Sequence, residues 1–292
     1  MKVLRIIVPV LFAASLAFTQ CDYVTDPEEI PVVPAFDTTK RIALVEEWTG
    51  HTCRNCPDAA RTIDSLKNVY GARFVAISIH DGFFASAPPQ VPQPCAAGDP
   101  NAFTLNLGCP TAASYTSAHP DGANGAPIGM VNRLDMPLQD ELKQHTEWPG
   151  MVHNLISEDA IASIHIDHSY NAANRAIDVT VRGTWLLSYT GTLNVAIMLT
   201  ESGMSGWQVD GDECNQSFVF HDVLRECLNT PGSYVGTELY NGTTVPGTRY
   251  SYDLPNTYTL PAAFDPNGCH LVAIIYDTTT GEVMQAWEEA LL

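Results

Sequence analysis

Hydrophobic and polar residues alternate along this chain in three distinct ways. Ile6–Phe18 is an uncharged apolar run near the amino terminus. Arg41–Trp48 (RIALVEEW) and Arg73–His80 (RFVAISIH) are short, nearly continuous apolar runs, the pattern of strands buried on both faces. Between them Ala59, Ile63, Leu66 and Tyr70 recur at helical spacing. Asp58 suits the positive end of that helix and Gly71 its stop. The spacing therefore predicts strand, turn, helix and strand over residues 40–80. Beyond residue 159 apolar and polar positions alternate in Ile161–Ser169, Ala176–Trp185 and Thr192–Glu201. Turn signals such as Asn171–Asn174 separate them, as expected for antiparallel strands with one wet face. Phe218–Leu224, Arg249–Leu254, Cys269–Tyr276 and Gly281–Trp287 read as further strands.

These patterns predict an α/β domain over residues 39–158 and an all-β, immunoglobulin-like sandwich over residues 159–292. Residues 81–124 read as an insertion in the first domain. Pro88, Pro89, Pro92, Pro94 and Pro100 forbid a regular helix early in it. Asn101–Ala118 leaves room for a short helix. Leu138–His145 and Glu147–Ser157 look helical, broken at Pro149-Gly150. A long loop of this kind is often a lid or recognition surface. Phe83 and Phe84 would give it an apolar contact patch.

The amino terminus reads as an export signal over residues 1–20. Lys2 and Arg5 precede the apolar run, which is shorter than the roughly 20 residues of a spanning helix. Ser15-Leu16-Ala17 offers an ordinary cleavage site. Cys21, directly after the run, stands where bacterial lipoproteins carry their acylated cysteine. Residues 21–38 are acidic and carry Pro27, Pro31 and Pro34, a composition that makes an extended tether. Lipid attachment at Cys21 is the favoured reading and implies a membrane anchor.

Charge narrows the function classes. The chain of 292 residues has 14 Lys and Arg against 33 Asp and Glu, a formal charge of −19. Removing residues 1–20 takes away Lys2 and Arg5 and no acid. Such a surface disfavours nucleic-acid binding and a polybasic membrane patch. No cofactor motif stands out, and none is expected.

The candidate chemistry lies in the cysteines. Cys53-Arg54-Asn55-Cys56-Pro57 stands where the first strand hands over to the helix. A thiolate at a helix N-terminus is stabilised by the dipole and free N–H groups. Cys53 would attack a substrate disulfide and Cys56 would resolve the mixed disulfide. Arg54, and His51 if protonated, would assist Cys53. Glu46 or Glu47 would serve as the buried acid behind Cys56, and strand alternation allows only one of them to do so. A static staple is the bland alternative. A metal site using His51 or His80 is weaker, because no second Cys/His cluster stands at a recognised spacing.

Pro127, in Gly125-Ala126-Pro127-Ile128-Gly129-Met130-Val131, opens an apolar strand and resembles the cis-proline of thioredoxin folds. A trans proline at a strand start is the alternative. Export also favours disulfides among the eight cysteines. Cys95 and Cys109 are the expected second pair, and closing so short a loop is worth about 3 kcal/mol in the chain-entropy model. The partners of Cys214, Cys227 and Cys269 stay open. Asp210-Gly211-Asp212-Glu213 reads as a solvated turn, lacking the spacing of a calcium loop. His165 and His168 fall on opposite faces of one strand.

The run ALVEEWTGHTCRNCPDAA (Ala43–Ala60) resembles the opening motif of the outer membrane protein family named for its twenty-eight-kilodalton founder. GAPIGMVNR (Gly125–Arg133), FHDVLRECL (Phe220–Leu228) and EVMQAWEEALL (Glu282–Leu292) extend the resemblance over the mature chain. It implies a bacterial outer-envelope lipoprotein with a thioredoxin-like domain and a β-rich C-terminal domain. His221 and Arg225 match a family segment and suit a structural contact between the two.

Two functional classes follow. One is thiol–disulfide exchange through Cys53 and Cys56, with envelope protein thiols or disulfides as partners. The other is a non-enzymatic surface adhesin or binding lipoprotein that uses the thioredoxin fold as a scaffold for a surface ligand. Thr52 in place of the usual Trp, an extra residue before Cys53 and the acidic surface favour the second. The cysteine placement favours the first.

Overall fold

The computed structural model describes residues 39–90, 93–96, 99–136 and 140–292. The export signal, Cys21 and the tether lie outside the described residues. The chain runs β1 (Ala43–Thr49), α1 (Cys56–Tyr70), β2 (Phe74–His80), α2 (Pro110–Ala118), α3 (Pro120–Gly125), β3 (Ile128–Val131), β4 (Lys143–Gln144) and α4 (Trp148–Leu155). It continues with β5 (His165–Asn171), β6 (Ala176–Thr184), β7 (Thr190–Glu201), β8 (Met204–Asp210), β9 (Glu213–Phe220) and β10 (Val223–Cys227). It ends with β11 (Thr237–Thr243), β12 (Arg249–Asp253), β13 (Tyr258–Thr259), β14 (Cys269–Asp277) and β15 (Val283–Ala290). The molecule is mixed α/β with a sheet-rich second half.

Its spine is a nine-stranded sheet in the order β15-β14-β7-β10-β2-β1-β3-β4, with β11 paired to β7. β1 and β2 are parallel and in register from Ala43 opposite Phe74 to Thr49 opposite His80. β2 is buried along its whole length, which is why its sequence is apolar without alternation. Strands from both sides of position 158 hydrogen-bond in this one sheet. The junction is small: Val223 of β10 pairs with Ser78 of β2, and the Ser78 N–H donates to the Asp222 carbonyl at 2.8 Å.

One face of the sheet carries a core that crosses this junction, from Leu44, Trp48 and Ile77 to Met198, Val272 and Ile274, under α2 and α3. The opposite face is divided. α1 and α4 cover β1 and β2 through Ile63, Leu66, Trp148 and Val152. A second, four-stranded sheet of β12, β6, β13 and β5 covers β7 and β14, with Ile166, Val179 and Val181 against Ile197, Leu271 and Ile275.

Two expectations are corrected here. The helix read over Leu138–His145 is replaced, where described, by strand β4, whose Lys143 and Gln144 pair with Gly129 and Ile128. The single strand read over Phe218–Leu224 is two strands, because Asp222 turns the chain at φ 56°. β8, β11 and β13 are additional to the expected strands.

Candidate functional site

β1 delivers the chain to Gly50 and the loop that carries Cys53. α1 starts at Cys56 with Pro57 in its first turn, where a missing N–H costs no helical bond, and Asp58 beside it. The helix stops at Gly71 (φ 52°), whose N–H donates to the Lys67 carbonyl. Cys53 and Cys56 are joined in a disulfide across the start of α1. Each is only 2% exposed, so neither thiol position faces solvent.

Glu46 and Glu47 point to opposite faces of β1, as alternation requires. Glu46 faces α2 and is held by Arg133 and Tyr115. Glu47 faces α1. It lines a cavity of about 250 Å³ together with Cys56, Asp64, Ser78, His80 and Asp222. The Ser78 hydroxyl donates to Glu47 Oε1 at 3.0 Å, while Oε2 is buried without a hydrogen-bond partner. Burial pushes the Glu47 carboxyl up to about 8, and Asp222 and Asp64 act in the same direction. Of the two acids, Glu47 is the one that shares this cavity with Cys56.

Asp222 is itself neutralised by Lys67 of α1 at 2.6 and 2.7 Å. Burial pushes His80 down to about 3, so it is neutral in the cavity wall. His51 is also buried and its pKa is lowered by that burial, with Nε2 lying 2.8 Å from the Ser86 carbonyl. Burial thus works against the protonated His51 expected to assist Cys53. Arg54 is exposed and bound to Asp212 at 2.7 Å.

Pro127 follows a cis peptide bond from Ala126. The next residue, Ile128, pairs with Trp48 of β1, so Pro127 stands at the end of the sheet from which the cysteine loop leaves.

The expected Cys95–Cys109 pair does not form. Cys95 is bonded to Cys214 of β9, 119 residues away. Cys109 caps α2 instead, its sulfur accepting from the Ala112 N–H at 3.3 Å, and burial pushes its thiol up to about 11. Cys227 and Cys269 are free and buried. The physical reason lies in the hairpin of β8 and β9, which folds back over the cysteine loop and brings Cys214 to the insertion. Asp210 and Asp212 at its turn bind Arg61 and Arg54. The residues read as a solvated turn are an exposed turn, and two of its acids also make these surface ion pairs. Arg225 binds Glu201 of β7 at 2.8 Å and reaches the Asn106 carbonyl of the insertion at 3.4 Å, a structural contact as expected.

The family model for outer membrane protein Omp28 matches residues 115–291, more than half of the chain. The chain belongs to the Omp28 family. Membership assigns this Omp28-family protein to the outer membrane, and no helix among the described residues is long and apolar enough to cross a membrane. No curated protein sequence matches it. Among solved structures it is similar to HBP35 of Porphyromonas gingivalis, with a TM-score of 0.60 at 14% identity, over 86% of this chain and 75% of that one. A protein from Agrobacterium tumefaciens matches with a TM-score of 0.50 at 13% identity, over 88% of this chain and 97% of that one. A domain of the outer membrane lipoprotein Omp28 from Porphyromonas gingivalis is 24% identical over 44% of this chain and 86% of its own, with a TM-score of 0.28. At these identities the structural matches speak to fold alone.

Proposed function

We propose that this Omp28-family protein performs thiol–disulfide exchange at the outer membrane through Cys53 and Cys56. One observation carries the reading: Cys56, bonded to Cys53 at the start of α1, and the unpartnered Glu47 oxygen line the same cavity. In the reduced protein the Cys53 thiolate attacks a substrate disulfide. Cys53 Sγ bonds to one substrate sulfur and the other leaves as a thiolate. Glu47 takes the Cys56 proton, and the Cys56 thiolate attacks Cys53 Sγ. The substrate departs reduced by two electrons, and Cys53–Cys56 is again a disulfide. Pro127 shapes the cleft in which the substrate backbone lies.

We read residues 39–158 as a thioredoxin-like domain with the insertion 81–124. The β1–α1–β2 order and the cis bond before Pro127 support this. We read residues 159–292 as an immunoglobulin-like sandwich, on the packing of β5 and β6 against β7 and β14. Cys21 is the proposed lipid attachment point, to be tested by the mass of the mature N-terminal peptide.

The test of exchange is the reduction potential of Cys53–Cys56. The soluble form from residue 22 is equilibrated with defined thiol buffers and each pair is read by peptide mass spectrometry. Exchange proteins fall between about −120 and −270 mV, and structural disulfides below about −300 mV. In the working range, Cys56→Ser is the trap, because it leaves the mixed disulfide on Cys53 unresolved. A value below the range favours the second reading, a surface binding protein on a redox scaffold. The burial of both cysteines is the observation on its side.

A further inference from the structure

The hairpin of β8 and β9 pairs with no other sheet among the described residues. An isolated two-stranded hairpin has little stability of its own in water, so its position depends on what ties it down. Besides the exposed ion pairs of Asp210 and Asp212, three sets of contacts do so. The first grips the cysteine loop directly. The Val209 N–H donates to the His51 carbonyl at 2.8 Å and the Gly211 N–H to the Arg54 carbonyl at 2.9 Å. The buried Gln208 amide donates to the Gly50 and Cys53 carbonyls at 3.3 and 3.0 Å. The second is apolar packing on the insertion, where Leu105 and Leu107 meet Met204, Phe218 and Phe220. The third is covalent: Cys214, opposite Val209 in the hairpin register, is bonded to Cys95 of the insertion.

The two disulfides differ sharply in access. Cys53 and Cys56 are shut in, whereas Cys95 is exposed and Cys214 half-buried. An incoming thiol therefore meets the outer bond first.

We infer that Cys95–Cys214 is a second thiol-reactive site, opened by an external dithiol, and that its opening releases the hairpin from over Cys53–Cys56. One thiolate of the dithiol attacks Cys95 Sγ, the better exposed sulfur. A bond forms between them, the Cys95–Cys214 bond breaks, and Cys214 leaves as a thiolate that takes a proton from water. The second thiol of the dithiol then attacks the mixed disulfide and frees Cys95 as a thiol. The dithiol is oxidised to its disulfide and the protein pair gains two electrons. The hairpin then keeps only its loop contacts, its apolar packing and the exposed Asp210–Arg61 and Asp212–Arg54 ion pairs, and it lifts often enough to admit a substrate. The use of this step rests on the exchange reading above; the order in which the two bonds open does not.

The experiment uses the soluble chain from residue 22 with dithiothreitol as the probe. Samples are quenched with N-ethylmaleimide over time and both pairs are read by peptide mass spectrometry. Cys95–Cys214 is expected to open first, with Cys53–Cys56 following after a lag. In the Cys95→Ser, Cys214→Ser double variant the lag disappears and Cys53–Cys56 opens at least tenfold faster. Reduction of Cys53–Cys56 while Cys95–Cys214 stays intact, or an unchanged rate in the double variant, overturns the inference. Gln208→Ala keeps both disulfides and guards against misfolding of the double variant. It should speed opening of Cys53–Cys56 several-fold, and no acceleration there counts equally against the inference. The equilibrium potential from the same buffers judges exchange separately, so a potential below the working range with the lag preserved rejects exchange and leaves the latch standing.

Discussion

The Arg133 guanidinium closes a two-point ion pair on the Glu46 carboxylate, at 2.6 and 2.7 Å, with both side chains fully buried. Tyr115 donates a third hydrogen bond to the same carboxylate at 2.6 Å. This ties β1 to α2 and to the segment after β3. Glu47, one residue on, has no such partner and stays available to take a proton.

Breaking this pair is expected to be expensive. Removing one member leaves a buried charge alone, which typically costs about 3–5 kcal/mol. Arg133→Met and Glu46→Leu should each destabilise the fold by that order in urea unfolding. The double variant should lose much less than the sum of the two, since no charge is stranded. Additive losses would contradict the account of a coupled pair.

Glu47 sets a pH dependence of defined sign. Its folded pKa of about 8 lies above the value of the unfolded chain, so the folded state holds the proton more tightly. Stability therefore falls as pH rises from about 4.5 to 8, and the penalty is fully present above that window. Glu288, raised to about 7 chiefly by burial, adds in the same direction. His80, lowered to about 3, does the opposite between pH 3 and 6.5. The difference between wild type and Glu47→Gln isolates the first group. The variant should gain stability relative to wild type between pH 5 and 8.5 and lose the base for Cys56. Resolution of a mixed disulfide at Cys53 should slow at least tenfold near pH 8. Parallel stability curves would place the Glu47 titration elsewhere.

Residues 40–80 are legible in the sequence because their signals are local. The apolar runs of β1 and β2, the spacing of Ala59, Ile63, Leu66 and Tyr70, and the stop at Gly71 each report on their own segment. The partner of Cys95 is not legible, since nothing near it shows that a hairpin returns 119 residues later. β9 carries Asn215, Gln216 and Ser217, because most of its length faces water, so it lacks the alternation of a core strand. The continuous sheet is hidden for a similar reason. Burial of β2 on both faces says nothing of which strand lies beside it, and the answer rests on the short contact of Val223 with Ser78. That Glu46 meets Arg133 and Tyr115 while Glu47 faces α1 is not legible, because strand alternation names no partners.

The free thiols give a direct check on the pairing. Burial raises the pKa of Cys109, Cys227 and Cys269, to about 11 for the first and about 12 for the last. Little thiolate is present at pH 8, and access is poor. The oxidised form from residue 22 should resist iodoacetamide while native and take up three labels once unfolded without reductant. Peptide mapping should find Cys95 joined to Cys214. A Cys95–Cys109 peptide in the native preparation would refute the pairing.

Gly50 is required by close approach rather than by unusual backbone angles. A Cβ there would stand 2.4 Å from the carbonyl carbon and oxygen of Phe84. Both are backbone atoms, so the segment Phe83–Ala85 would have to move. That segment accepts the Thr52 N–H at 3.1 Å and the Thr52 hydroxyl at 3.0 Å, holding the loop before Cys53. Gly50→Ala should cost about 1–3 kcal/mol, the usual range for overpacking. Gly150 is the matched control, lying in α4 with open space where its Cβ would be. Gly150→Ala should stabilise by about 0.5–1 kcal/mol through helix propensity. The two variants should thus move the urea midpoint in opposite directions. Only Gly50→Ala should also speed reduction of Cys53–Cys56, because only it loosens the loop that encloses that bond.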